Sequence, residues 1–215
     1  MSRKVFLLSP ANVSGLRARQ LTSPRAKFEA AQMYRSSEGV PIALAFAFMS
    51  ALYFRGKIAY ALQFAAIEDI FVIAPGFGLV GPDWRLTPER MKVLERTEVD
   101  TRKRNYRKPF ERDALSLAEA MDDDSKVVLL GSVASGKYVD ILAPIFGSRL
   151  LFPAIFAGLG DMSRGGLLLR AARANRELDY TSLAAPRGRS DAGDPVELAR
   201  AWARSVSSPM GPKRT

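Results

Sequence analysis

The 215-residue chain contains no cysteine and no histidine. The first absence excludes disulfides, thiolate nucleophiles and cysteine-ligated zinc or iron–sulfur sites. The second removes the usual general base near neutral pH and the commonest metal ligand. Triads of the Ser-His-Asp and Cys-His kinds are therefore impossible. Any catalysis falls to Asp, Glu, Lys, Arg, Tyr, Ser or Asn. No metal and no cofactor is expected, and whether the chain is an enzyme stays open.

Long apolar runs are missing too. The longest stretch, residues 40–54, is broken by Pro41 and Ser50 and is shorter than the ~20 residues a membrane span needs. Near the start, Val5-Phe6-Leu7-Leu8 follows a basic Arg3-Lys4 but meets Ser9-Pro10 at once. That run is too short for a signal core. The expectation is a soluble, cytoplasmic protein with no membrane partner.

Negative charge is in deficit. Asp and Glu number 22 against 32 Lys and Arg, a formal net charge of +10. Such an excess favours a polyanionic partner, with nucleic acid ahead of an anionic membrane and DNA ahead of RNA. An indifferent basic surface is the competing reading. Hydrophobic residues make up 47%, enough for a sizeable core. The length suits one domain with an added tail.

Residues 126–147 organise the chain. Val127-Val128-Leu129-Leu130 suits a strand buried on both faces. Small residues follow, Gly131 to Gly136, and then Tyr138, Val139, Ile141 and Leu142 recur at helical spacing. A strand, a Gly/Ser turn and a helix N-terminus present backbone N–H groups to an anion. The spacing Gly131-x4-Gly136-Lys137 satisfies most of the phosphate-binding loop pattern. Tyr138 stands where that pattern needs a Ser or Thr hydroxyl for magnesium. Three readings remain: a hydrolysing loop, a turn that binds an anion without hydrolysis, and a plain packing turn.

Strand and helix signals alternate along the rest. Residues 5–8 and 69–74 read as buried strands, 150–152 as a short strand and 178–183 as an edge strand. Residues 42–51 favour a central strand, since Phe46 and Phe48 are two apart. Residues 52–57 read as a turn and 58–66 as a helix. Helices are also expected over 25–34, from Thr87-Pro88, over 110–121 and over 167–176, the last preceded by a polar, Gly-rich loop over 158–166. Gly76-x-Gly78-x-x-Gly81 follows a strand and matches a dinucleotide fingerprint. Gly81-Pro82-Asp83 is turn chemistry, however, where the fingerprint needs a helix. The basic run Arg102, Lys103, Arg104, Tyr106, Arg107 and Lys108 suits phosphate contacts with stacking by Tyr106, if it lies on a loop. Alternating strands and helices predict a single α/β domain over 1–183, with a mostly parallel or mixed sheet covered on both faces. From 184 to 215 the composition turns to Pro, Gly, Arg, Asp and Ser. That segment reads as a flexible basic tail with one short helix over 195–206, whose Trp202 docks on the body.

Three pieces look familiar. Val5-Phe6-Leu7-Leu8-Ser9-Pro10-Ala11, then Leu52-Tyr53, then Gly78-Leu79-Val80-Gly81-Pro82-Asp83 resemble the YaaA peroxide-stress family and a related uncharacterised bacterial domain family. The family pattern continues with Lys where this chain has Asn12. The resemblance implies DNA binding, protection from oxidative damage, and chemistry on nucleic acids or nucleobases.

Together these signals predict a protein that binds or acts on nucleic acid or a nucleotide-like ligand. Its site would gather at the strand ends. Ser9, Asn12, Gly78, Ser135, Gly136, Lys137, Ser163 and Arg164 are the candidate binding residues. Asn12 would read a base edge and Lys137 would hold a phosphate. Asp83 or Asp161 would move a proton. The alternative is a small-molecule enzyme or phosphate-binding protein centred on the turn 131–137.

Overall fold

The computed structural model describes residues 2–133, 136–156 and 158–182. Strand β1 (Lys4–Leu8) leads into helices α1 (Leu16–Thr22) and α2 (Glu29–Arg35). The two-residue β2 (Val40–Pro41) follows, with α3 (Ile42–Met49) and α4 (Leu52–Phe64). Next come β3 (Ile70–Ala74), β4 (Gly78–Val80), β5 (Arg85–Leu86), α5 (Pro88–Arg96) and α6 (Arg104–Glu119). The chain continues through β6 (Lys126–Leu130), α7 (Val139–Phe146), β7 (Leu150–Pro153), α8 (Asp161–Arg173) and β8 (Tyr180–Ser182).

Alternation along the apolar strands sets the layers. Val5, Leu7, Ile73, Val127 and Leu129 turn to one face, where α6 and α7 cover them. Phe6, Leu8, Ile70, Val72, Val128 and Leu130 turn to the other, under α1 to α5 and α8. The main sheet has six strands in the order β4-β3-β1-β6-β7-β8. Its four inner strands are parallel, and β4 and β8 close the edges antiparallel. This is a mixed α/β sheet with helices on both faces. No helix among the described residues is long and apolar enough to cross a membrane.

Four segments depart from the sequence reading. Residues 42–49 are helical, not a strand: Ile42, Ala45, Phe46 and Met49 are the buried set, a helical i, i+3, i+4, i+7 stripe. Phe48 instead leaves the stripe and stacks on Phe28, ring centroids 4.7 Å apart. Helix α4 begins at Leu52, so the expected turn 52–57 is its first half. Helix α6 begins at Arg104 and carries Pro109 inside it. Helix α8 begins at Asp161, so the expected Gly-rich loop is its first turns. The proposed tail, its short helix and Trp202 lie outside the described residues.

One buried network ties α4 to the β8 edge. Tyr60 is fully buried, and burial pushes its phenol up to about 12. Its hydroxyl lies 2.6 Å from that of Tyr180 and accepts from Leu178 N–H at 2.8 Å. Tyr180 in turn donates to Glu177. Tyr60→Phe removes the shared hydroxyl and strands the Leu178 N–H. We expect a loss of about 1–3 kcal/mol in chemical denaturation, the cost of an unpaired buried donor. An unchanged midpoint would show that water replaces the phenol there.

Candidate functional site: a cleft at the ends of β1 and β6

Neighbouring strands β1 and β6 send their following helices to opposite faces. The chain after β1 runs into α1 on one face, and the chain after β6 runs into α7 on the other. A crevice opens at such a switch point, beyond the carboxyl ends of the strands. Two small residues sit there. Ser9 directly follows β1, with its N–H on Leu130 O at 3.2 Å. Gly131 directly follows β6, and a Cβ on it would stand 3.0 Å from the Ser9 Cβ. Only a glycine admits that approach without displacing Ser9.

Lys57 lies beneath Ser9. Helix α4 holds it at 0% exposure. Its Nζ donates to the Ser9 carbonyl at 2.6 Å and to Ser9 Oγ at 2.9 Å. The rings of Tyr53 and Phe54 flank Nζ, with centroids 4.2 and 5.0 Å away. Burial lowers the Lys57 pKa from 10.5 to about 7; Asp161 opposes the fall and Arg164 adds to it. Removal from water thus outweighs the aromatic faces, whose attraction is worth only ~2 kcal/mol when desolvated.

Above this pair is a cavity of about 630 Å³. Ser9 and Asn12 line it from the end of β1. Ser50 and Tyr53 line it from the α3–α4 junction, Lys137 and Tyr138 from the start of α7, and Asp161 and Arg164 from α8. The Arg164 guanidinium donates twice to Phe156 O, at 3.0 and 3.3 Å, and lies 3.6 Å from Asp161. These contacts fix its direction. Asn12 uses its carboxamide oxygen to accept from Ser14 N–H and Ser14 Oγ. Its NH₂ group is what it can offer a ligand. Tyr138 is buried and pushed up to about 12, with Tyr53 adding to the rise and the Ser9 hydroxyl opposing it. Tyr53 is 7% exposed, and its hydroxyl has no hydrogen-bond partner among the described residues. Burial raises its pKa too, against the nearby Arg164 cation.

The cleft therefore gathers Ser9, Asn12, Lys137, Asp161 and Arg164 from the residues the sequence singled out. Others lie elsewhere. Strand β4 turns back antiparallel to β3, with Val80 opposite Val72. This carries exposed Asp83 toward the amino ends of the strands, away from the cleft, where it cannot act on a ligand bound there. Gly78 serves packing: it holds φ +100°, and a Cβ would collide with the Asp113 carboxylate that accepts from Leu79 N–H. Ser163 is exposed on α8 and does not line the cavity. Gly136 holds φ +68° beside Asp140, next to the cleft but not lining it. Ser135 lies outside the described residues.

The basic run is not a loop with a free aromatic. Tyr106 is 1% exposed and donates to Lys137 O at 2.9 Å. It is core, so it cannot stack on a base. Arg102 pairs with Asp100, Lys103 with Glu98 and Arg107 with Glu111. Arg104 and Lys108 line a larger groove of about 910 Å³ along α6, together with Arg112. That groove is shallower and has no buried polar group aimed into it, so the smaller cleft is the better built site.

Lys57, Tyr53 and Ser50 were not among the expected site residues. The resemblance had marked Leu52-Tyr53 without giving Tyr53 a role, and helical spacing gave the signal for Lys57: Tyr53, Lys57 and Tyr60 share one face of α4, but only once that helix is known to start at Leu52. Among the described residues, no three acidic side chains converge as a metal cage. No protein-family model, no curated protein and no solved structure matches this chain.

Proposed function

We propose that the cleft binds a small anionic, nucleotide-like ligand, and that the protein acts in the cytoplasm on nucleic-acid or nucleobase chemistry. One observation carries this reading: Tyr53 is buried, lines the cavity together with Arg164 and Lys137, and its hydroxyl has no hydrogen-bond partner among the described residues. An unpaired buried hydroxyl costs about 1–3 kcal/mol, and a ligand oxygen would satisfy it. Arg164 offers fixed donors to a phosphate or carboxylate. Lys137 offers a mobile charge. Asn12 presents an amide to a base edge. The YaaA-like motifs support the same class of ligand, and two of them, Ser9-Pro10-Ala11 and Tyr53, supply cleft walls.

A second reading has its own support. Arg104, Lys108 and Arg112 recur every four residues on α6 and line one groove. Such a stripe suits a phosphate backbone, with affinity falling steeply as salt rises.

The test is titration calorimetry with purine and pyrimidine mononucleotides, nucleosides and inorganic phosphate. We expect at least one mononucleotide to bind, and Arg164→Ala to weaken it about tenfold or more, as loss of a charge-assisted hydrogen bond requires. The melting temperature of the variant serves as control. Equal binding by parent and variant, or no binding of any of these compounds, would overturn the reading.

A further inference from the structure

Anion binding does not account for Lys57. Its amine stands behind Ser9 and does not line the cavity, so it is no part of the wall that holds an anion. Packing does not account for it either. A buried ammonium loses its hydration, and among the described residues no carboxylate pairs with it; a methionine would fill similar space without that cost. What the amine does reach is one hydroxyl, Ser9 Oγ at 2.9 Å, on a residue that lines the cleft.

The geometry points to Ser9 as a nucleophile and Lys57 as its general base, acting on an acyl compound that carries an anionic group. This rests on the cleft being the ligand site and names the reaction there. A serine hydroxyl is a weak nucleophile until an adjacent base takes its proton, and lysine is a known base for serine when it is neutral. Burial supplies the neutral amine. The groups facing it are Ser9, Tyr53 and Phe54, with the charges of Asp161 and Arg164 acting in opposite directions.

In the first step Lys57 takes the hydroxyl proton while Oγ bonds to the substrate carbonyl carbon. The carbonyl π pair moves to oxygen. The tetrahedral intermediate then collapses, the bond to the leaving heteroatom breaks, and the Lys57 ammonium returns its proton to that atom. In the second step Lys57 takes a proton from water, whose oxygen attacks the Ser9 ester. The ester bond breaks and Oγ recovers the proton. The sum is hydrolysis of an ester, thioester or activated amide to a carboxylic acid and a protonated leaving group. Arg164 and Lys137 line the same cavity and hold the anionic group or the developing oxyanion.

The experiment treats one sample of the full chain with phenylmethanesulfonyl fluoride and a separate, unmodified sample with the p-nitrophenyl esters of acetate and succinate. Intact mass and peptide mapping should place one sulfonyl group on Ser9. Ser9→Ala should still unfold cooperatively, so that it is folded in the assay, and should lose the adduct. Lys57→Met should slow adduct formation by about a hundredfold or more, the usual span of general-base catalysis. The parent rate should rise with pH through a midpoint near 7. The succinate ester should turn over faster than the acetate ester. No adduct on Ser9 in folded protein at mildly alkaline pH would overturn the assignment. So would an adduct whose rate ignores both pH and Lys57→Met. If Lys57→Met does not fold, the parent pH profile decides alone. Sulfonylation requires no bound nucleotide, so the two readings fail separately. Nucleotide binding without an adduct removes the dyad, and an adduct without nucleotide binding removes only the ligand class.

Discussion

Gly56→Leu should leave little or no folded protein, and Gly165→Ala should lower stability by about 1–3 kcal/mol, the usual cost of overpacking. Both residues lie where α4 crosses α8. A Cβ on Gly56 would stand 2.5 Å from Gly165 O and 3.0 Å from Gly165 Cα. A Cβ on Gly165 would meet Leu52 O and Tyr53 Cα, each at 2.7 Å. These are backbone atoms of packed helices and cannot swing aside. Helix propensity pulls the other way, since Ala is better than Gly by about 1 kcal/mol inside a helix. The contact decides the sign at Gly165. At Gly166, one residue on, a Cβ meets the far end of Arg170 at 3.3 Å and makes ordinary contact with Leu52 Cδ2 at 4.0 Å. There propensity should win, and Gly166→Ala should stabilise by up to about 1 kcal/mol. Urea denaturation of the two alanine variants gives the comparison. Shifts of the same sign would show that the α4–α8 crossing is not governed by backbone contact. The same crossing joins Tyr53 and Lys57 to Asp161 and Arg164, so a variant that folds with the helices spread should also lose the cleft.

That crossing explains why parts of the site escaped the sequence. A glycine inside an apolar segment reads as a turn, and Leu52-Tyr53-Phe54-Arg55-Gly56-Lys57 was read so. The reason for Gly56 lies more than a hundred residues away, at Gly165, and no local pattern contains it. Once the segment is a turn, Lys57 is an exposed charge; once it is a helix, Lys57 lies on the buried stripe with Tyr53 and Tyr60. The same error displaced α8, where Gly165-Gly166 suggested a loop and hid that Asp161 and Arg164 share a helix with the core residues Leu167 and Leu168. Helix α3 failed for another reason. Nearly every residue of Ile-Ala-Leu-Ala-Phe-Ala-Phe-Met is apolar, so neither period stands out.

The parallel strands were legible because burial on both faces demands continuous apolar runs bounded by turn residues, as at Val127 to Leu130. The place of the cleft was legible for a related reason. Ligand crevices in such sheets open at the carboxyl ends of strands, which put Ser9, Lys137 and the start of α8 in one neighbourhood. Asp83 followed the same rule and was misplaced, because three residues of antiparallel β4 reverse the chain before it. The basic run failed through Tyr106: its burial depends on α6 reaching back to Arg104, across a proline that normally marks a helix start.

The parent protein should gain stability as pH rises from about 7 toward 10, and Lys57→Met should lack that gain. Lys57 has a folded pKa of about 7 against 10.5 in the exposed chain. Between those values the unfolded state holds the Lys57 proton and the folded state does not. Stability then rises with pH, because its slope follows the protons bound by the unfolded state minus those bound by the folded state. Below the lower value both states are protonated and the full penalty of the buried ammonium remains. Above the upper value both are neutral and the penalty is gone. Each pH unit contributes at most about 1.4 kcal/mol, so the whole window amounts to a few kcal/mol. The buried phenols act in the opposite direction at its upper end. Tyr60 and Tyr138 are pushed up to about 12, so their unfolded forms lose protons first and stability falls again above about pH 10. Both phenols remain in Lys57→Met, and subtracting the two stability curves cancels them. Asp161, Arg164 and Tyr53, which face Lys57, remain as well. The difference should therefore rise steadily across the window and flatten below neutral pH. Urea denaturation at closely spaced pH values measures it. Parallel curves for parent and variant would mean that Lys57 stays protonated in the folded protein, and the neutral amine needed to activate Ser9 would then not exist near neutral pH.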